Sequence, residues 1–150
     1  MFADHDRNQL RRVYLAAWQK ARNGLPMEPL ERQLADLIGE HPEYHALLEA
    51  PDDALGRDFA SQDGQANPFL HLGLHMAIRE QVATDRPAGI RAAWQALCAR
   101  YGDAHSAEHD MIEVLGQALW SAQRDATAPD ERAYLERLQQ IAGTSQSNPS

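Results

Sequence analysis

Hydrophobic residues along this chain recur at intervals of three and four positions, from close to its start to close to its end. This spacing places them on one face of an α-helix, and no segment shows the alternation of a half-buried strand. Prolines and glycines separate the periodic segments, as they do at helix boundaries. The pattern predicts helices over residues 6–22, from 29 to about 40, and over 42–50, 68–83, 87–101, 104–124 and 129–143.

Two segments fall outside this pattern. Residues 51–66 are polar and rich in Asp and Gly, which predicts a loop of a length that is uncommon unless it is functional or ordered by something. Residues 144–150 are mostly small and polar, and we expect them to form a disordered tail. Residues 1–143 are predicted to form a single all-α domain, a helical bundle of four main helices plus short extra helices.

Composition and charge narrow the class of protein. The 150 residues suit one domain with a proper core, and the net charge of −8 offers no basic face for a nucleic acid. No hydrophobic run approaches the roughly 20 residues of a membrane span, and the first residues are too polar for a signal peptide. The single cysteine, Cys98, excludes an internal disulfide and a cysteine zinc cluster. We expect a cytoplasmic protein with no nucleic-acid and no membrane partner.

Six of the seven histidines form three pairs with one spacing, four positions apart. A chance distribution of seven histidines over this length would give about 0.3 such pairs, so the pattern calls for an explanation. Two residues four apart lie one turn apart on the same face of a helix, where two imidazole rings can bind one metal ion. The pairs are His41 and His45, His71 and His75, and His105 and His109.

The last two of these pairs face the predicted core. A helical wheel places His71 and His75 in or beside the hydrophobic stripe of their helix. His105 and His109 flank the stripe of theirs, and Glu108 lies in its middle. A buried carboxylate costs free energy unless it is paired or bound to a cation. Imidazoles with a carboxylate form a ligand set for a divalent metal ion, and we expect zinc or iron. We predict that these five side chains are the metal ligands.

Four further residues are weaker candidates for metal ligands. Pro42 interrupts the helix between His41 and His45, so their spacing loses its geometric meaning, although either could complete a site from another direction. Glu113 follows the last histidine pair by four positions but lies at the edge of the polar face of its helix. Glu31 shares a face with hydrophobic residues and is an alternative ligand or a hydrogen-bonding partner of one.

The spacing of carboxylates and histidines separates classes of metalloprotein. The chain lacks the Glu-x-x-His motif of ferritin-like di-iron proteins and the His-Glu-x-x-His motif of zinc proteases. A histidine-rich dinuclear iron site of the haemerythrin type stays open, because Glu113 follows His109 by four positions. A catalytic role is not expected for Cys98, which has no histidine nearby on its own helix.

Several segments together give the chain a family resemblance. It resembles an uncharacterised family of small bacterial proteins, the domain-of-unknown-function 1841 family, from Leu10 to about Leu138. The resemblance implies a similar length and helical content but no activity, so no catalytic residue follows from it. The segments that carry it are His41-Pro-Glu-Tyr-His45, Asn67-Pro-Phe-Leu-His-Leu-Gly-Leu-His75, His105-Ser-Ala-Glu-His109, Gly89-Ile-Arg-Ala-Ala93 and Trp120-Ser-Ala-Gln-Arg124.

Four functions fit these observations and stay open from the sequence. The first is a metal-binding helical bundle, which would be an enzyme if the ion keeps an open coordination position. The second is a metal buffer, chaperone or sensor with a closed site. The third is a structural or interaction module whose histidines only form hydrogen bonds inside a polar core. The fourth resembles the metal-dependent thiol-transferase bundles, although no thiol-binding pocket is identifiable. The sequence does not identify a small-molecule or protein partner.

Overall fold

The fold of the described part of the chain is all-α, as the hydrophobic pattern predicts. A computed structural model describes residues 2–57 and 67–143, with side chains from Asp6 onwards, and these residues contain no strand. They fall into two compact units, which are divided between Leu72 and Gly73. One helix, α5 (Pro68–Thr84), begins in the first unit and continues into the second.

The first unit is built mainly on the packing of α1 against α2. These helices span Phe2–Arg22 and Pro29–Gly39, and a 3-10 turn over Pro42–Tyr44 leads into the short α3, His45–Leu48. Glu28 caps α2 through a reciprocal capping box with Glu31, which satisfies backbone N–H groups at the start of the helix. The large buried hydrophobic side chains of this unit are Tyr14, Leu15, Leu34, Leu37, Ile38, Leu48, Phe69 and Leu72.

The prediction of one loop over residues 51–66 is wrong for its first part, because α4 spans Pro51–Gly56. Pro51 occupies the first turn, where its missing N–H costs nothing, and two aspartates there complement the helix dipole. The guanidinium of Arg11 donates hydrogen bonds to the carbonyl oxygens of Ala54 and Arg57, at 2.9 and 2.7 Å. The carbonyl groups at the end of this helix are therefore satisfied by a side chain that is distant in the sequence. Residues 58–66 of the predicted loop and the predicted tail 144–150 lie outside the described residues.

The second unit contains the remainder of α5 with three further helices, α6 (Ile90–Tyr101), α7 (Ala104–Asp125) and α8 (Glu131–Gly143). Helix α6 packs against both α7 and α8, and α7 also packs against α8. The core of this unit is formed by the hydrophobic faces that the sequence predicts, including Ile78, Ile90, Leu97, Met111, Leu115, Tyr134 and Leu138.

Local caps set the boundaries of the helices that carry the histidines. The side chain of Asn67 accepts hydrogen bonds from the backbone N–H groups of Phe69 and Leu70, which confirms it as the N-cap of α5. Asp103 accepts a 2.7 Å hydrogen bond from the N–H of Ser106 and so caps α7, also as predicted. Helix α5 thus begins three residues before His71, and α7 begins one residue before His105.

Candidate metal centre

Helix α5 carries two histidines, His71 and His75, one turn apart on one face. The ring of His75 is buried, with 1% of the residue exposed, and His71 is half-buried. Each ring offers a nitrogen within 4.8 Å of a nitrogen of the other. The predicted inward orientation of this pair therefore agrees with the structure.

In the first unit, His41 lies beside His71. The two ring centroids are 5.3 Å apart and the rings meet edge to face, with ring nitrogens within 4.8 Å. His41 is buried, and its Nδ1–H donates a 2.9 Å hydrogen bond to the carbonyl oxygen of Leu37. Because a carbonyl only accepts, this bond places the proton on Nδ1 and the lone pair of the neutral ring on Nε2. The ring of Tyr44 stacks on that of His41 and meets His71 edge-on.

In the second unit, His75 is held by a carboxylate on α7. The Nδ1–H of His75 donates a short hydrogen bond to Oε1 of Glu108, and Nε of Arg79 lies 3.1 and 3.2 Å from the two oxygens of the same carboxylate. Burial raises the pKa of the Glu108 carboxyl, but the hydrogen bond from His75 and the charge of Arg79 outweigh it and the pKa lies below its ordinary value. An ionised Glu108 thus fixes the proton of His75 on Nδ1.

Helix α7 also brings a second histidine to His75. The ring centroid of His109 lies 5.1 Å from that of His75, and nitrogens of the two rings lie within 4.8 Å of each other. The exposed ring of His105, one turn earlier on α7, meets His109 edge to face with centroids 4.2 Å apart. The predicted pair on this helix is therefore split between a half-buried histidine and an exposed one.

His41 and His71 are thus neighbouring rings in the first unit, His75 and His109 are neighbouring rings in the second, and helix α5 joins the two pairs into a series of histidines. Ligand nitrogens of a tetrahedral zinc site are about 3.4 Å apart, given Zn–N bonds of about 2.0–2.1 Å. The nitrogens of neighbouring rings lie within 4.8 Å of each other, so binding one ion requires them to approach by at most about 1.4 Å. All four candidate ligands are imidazoles, whose neutral form suits zinc, iron, copper and nickel.

The other predicted ligands have different partners in the structure. Glu108 is not a candidate ligand itself but accepts a hydrogen bond from one, His75. His105 does not belong to the group of four histidines, although its ring contacts that of His109. His45 donates from Nε2 to the carbonyl oxygen of Ile38 at 2.8 Å, and its ring packs on Trp18. The two glutamates that the sequence offers as weaker candidates also lie outside the group of four histidines. Glu31 accepts a 2.7 Å hydrogen bond from Lys20, which lowers the pKa of its carboxyl. Glu113 is exposed.

Two contributors to the site were not predicted. Arg79 lies one turn after His75 on α5, so the four-residue spacing that identified the histidines could also have identified it. The sequence contains no comparable signal for Tyr44 or for the position of His41. Their contacts with His71 join segments about 30 positions apart in the sequence. Helical spacing reports neighbours within one helix only.

Comparison with known proteins places the chain in a family without assigning an activity. No curated protein and no solved structure matches the sequence. Within the residues that the structure describes, no helix has both the length and the hydrophobicity needed to cross a membrane. Residues 6–140, nearly the whole chain, match the model of the family described as Domain of unknown function (DUF1841). The chain therefore belongs to the DUF1841 family.

Proposed function

We propose that this protein binds a divalent first-row transition metal ion through His41, His71, His75 and His109. The observation that carries the proposal is the series of neighbouring histidine rings, joined through the pair on α5. Bundle interiors lined by histidines from facing helices are a frequent place for such ions. Imidazole ligands suit several first-row metals, and zinc and iron are the leading candidates among them.

The hydrogen bond between His75 and Glu108 supports this proposal. Histidines that bind metals usually donate their second ring N–H to a carboxylate or a backbone carbonyl, which orients the ring and raises its basicity. His75 donates from Nδ1 to Glu108, and His41 donates from Nδ1 to the carbonyl of Leu37. With the proton on Nδ1, the neutral form of each ring has its lone pair on Nε2, from which imidazole coordinates a metal.

The proposed ligand set differs from the one that the sequence predicts. His41 replaces His105, and Glu108 orients His75 instead of binding the ion. A closed set of four histidines favours a buffer, sensor or structural metal site, whereas an enzyme needs a vacant or exchangeable position. The alternative is an enzyme in which water or substrate replaces one of the four histidines on the ion, which then acts as a Lewis acid.

Metal analysis of the purified chain tests the proposal. The protein is produced without a histidine tag in metal-replete medium, and its metal content is measured by mass spectrometry beside a His71→Ala/His109→Ala variant. We expect about one ion per wild-type chain, a large loss in the double variant, and retention in His105→Ala, whose side chain is exposed. Wild-type protein without first-row metal would overturn the proposal.

A second candidate function needs no metal. The contacts of Glu108 with His75 and Arg79, and of His41 with Leu37, are also what a core of hydrogen-bonded histidines in an interaction module would contain. Metal content decides between the two, because only the metal-binding function requires a stoichiometric ion. A cytoplasmic location and the lack of a nucleic-acid partner remain predictions from the sequence alone.

A further inference from the structure

Three histidine rings in the second unit lie in order of increasing burial. His105 is exposed, His109 is half-buried, and His75 is buried with 1% of the residue exposed. Ring centroids are 4.2 Å apart between His105 and His109 and 5.1 Å apart between His109 and His75. The series therefore leads from the solvent to the histidine that Glu108 holds.

The side chain of His105 takes no part in the N-cap of α7. Helix α7 is capped by Asp103, which accepts hydrogen bonds from the backbone N–H and the hydroxyl of Ser106. The carboxylate of Asp103 thus lies two positions before the exposed His105, and a negative charge there attracts cations.

Two imidazoles one turn apart can bind a metal ion before the buried ligands do. An ion that arrives at His105 needs only to find His109 on the same helix, and this second bond forms within one molecule. Exchange of His105 for His75 then moves the ion inward. One metal–nitrogen bond breaks as another forms, and no oxidation, reduction or proton source is needed, provided that the rings are neutral.

We propose that His105 is the ligand through which the metal ion is taken up and released, and that it is absent from the final coordination shell. The inference rests on the proposed function, since it assigns a route to that same site. His105 would thus shorten the time to reach equilibrium and leave the equilibrium affinity unchanged. This role explains why His105 is spaced four residues from His109, as a ligand pair would be, and yet does not belong to the group of four histidines.

Rapid mixing of Co²⁺ with the metal-free full-length protein tests this role, since the visible spectrum of Co²⁺ reports coordination. The variant is His105→Ala, and the matched control is Gln117→Ala, an exposed position on the same helix. We expect association to slow by about 10-fold in His105→Ala, with transfer to EDTA slowed by the same factor and the Kd unchanged. Gln117→Ala should match the wild type in all three measurements.

Two outcomes would overturn the inference and leave the proposed function standing. Association and release at wild-type rates in His105→Ala would show that uptake does not use this ring. A weaker Kd with faster release would show that His105 belongs to the final coordination shell, as the sequence predicts. If wild-type protein gives no Co²⁺ spectrum and holds no other first-row metal, the proposed function itself fails and the uptake route fails with it.

Discussion

His75 on α5 donates its Nδ1–H to the carboxylate of Glu108 on α7, and both residues are buried. Arg79, one turn further along α5, contacts the same carboxylate from its partly exposed position. The carboxylate thus connects a histidine at the candidate metal centre with a cation nearer the solvent. This arrangement makes Glu108 a positioning residue, whose removal should affect metal binding without removing a ligand.

Replacing Glu108 by Gln tests this positioning role. The amide keeps the shape of the side chain but loses the charge, so it holds His75 less firmly and leaves its ring less basic. We expect metal affinity to fall by about 10- to 100-fold, the usual effect of losing such a partner. Competition with a chromophoric chelator measures the affinity. Glu113→Gln, an exposed change on the same helix, is the control and should keep wild-type affinity.

The lowered pKa of Glu108 predicts a dependence of stability on pH in the metal-free protein. A carboxyl whose folded-state pKa lies below its ordinary value of 4.5 stabilises the fold above that pH. The stabilisation is lost as the pH falls through the lower, folded-state pKa. The difference in unfolding free energy between wild type and Glu108→Gln, measured with urea, should therefore shrink as the pH falls below 4.5. A difference that stays constant down to the acid transition would contradict the assigned direction.

Removal of the proposed metal ion should lower thermal stability, because an ion that binds only the folded chain stabilises it by mass action. At a free metal concentration of 100 times the Kd this amounts to about 2.7 kcal/mol. The Tm measured by circular dichroism should fall on treatment with EDTA and recover when Zn²⁺ is restored. The His71→Ala/His109→Ala variant should show neither change, and a variant that responded like the wild type would place the ion elsewhere.

The fold was more predictable from the sequence than the site was. Periodicity and the Asn67 and Asp103 caps locate α5 and α7, because these features act within one helix. The sequence does not predict α4, since Arg11, which donates hydrogen bonds to the end of this helix, lies more than 40 positions away in the sequence. For the same reason the sequence favours His105 over His41 as a ligand, because the contact of His41 with His71 depends on the packing of separate segments.

Arg11 and Arg12 provide a matched test of the missed helix. They are adjacent in sequence, but Arg11 is 3% exposed whereas Arg12 is exposed. Arg11 lies over the ring of Phe69 and donates to the carbonyls of Ala54 and Arg57 at the end of α4. Arg11→Met leaves the buried carbonyl of Ala54 to find another donor, and a buried polar group without a partner costs about 1–3 kcal/mol. Urea unfolding should show a loss of that size in Arg11→Met and almost none in Arg12→Met. Equal effects of the two changes would show that Arg11 does not hold α4 as the structure indicates.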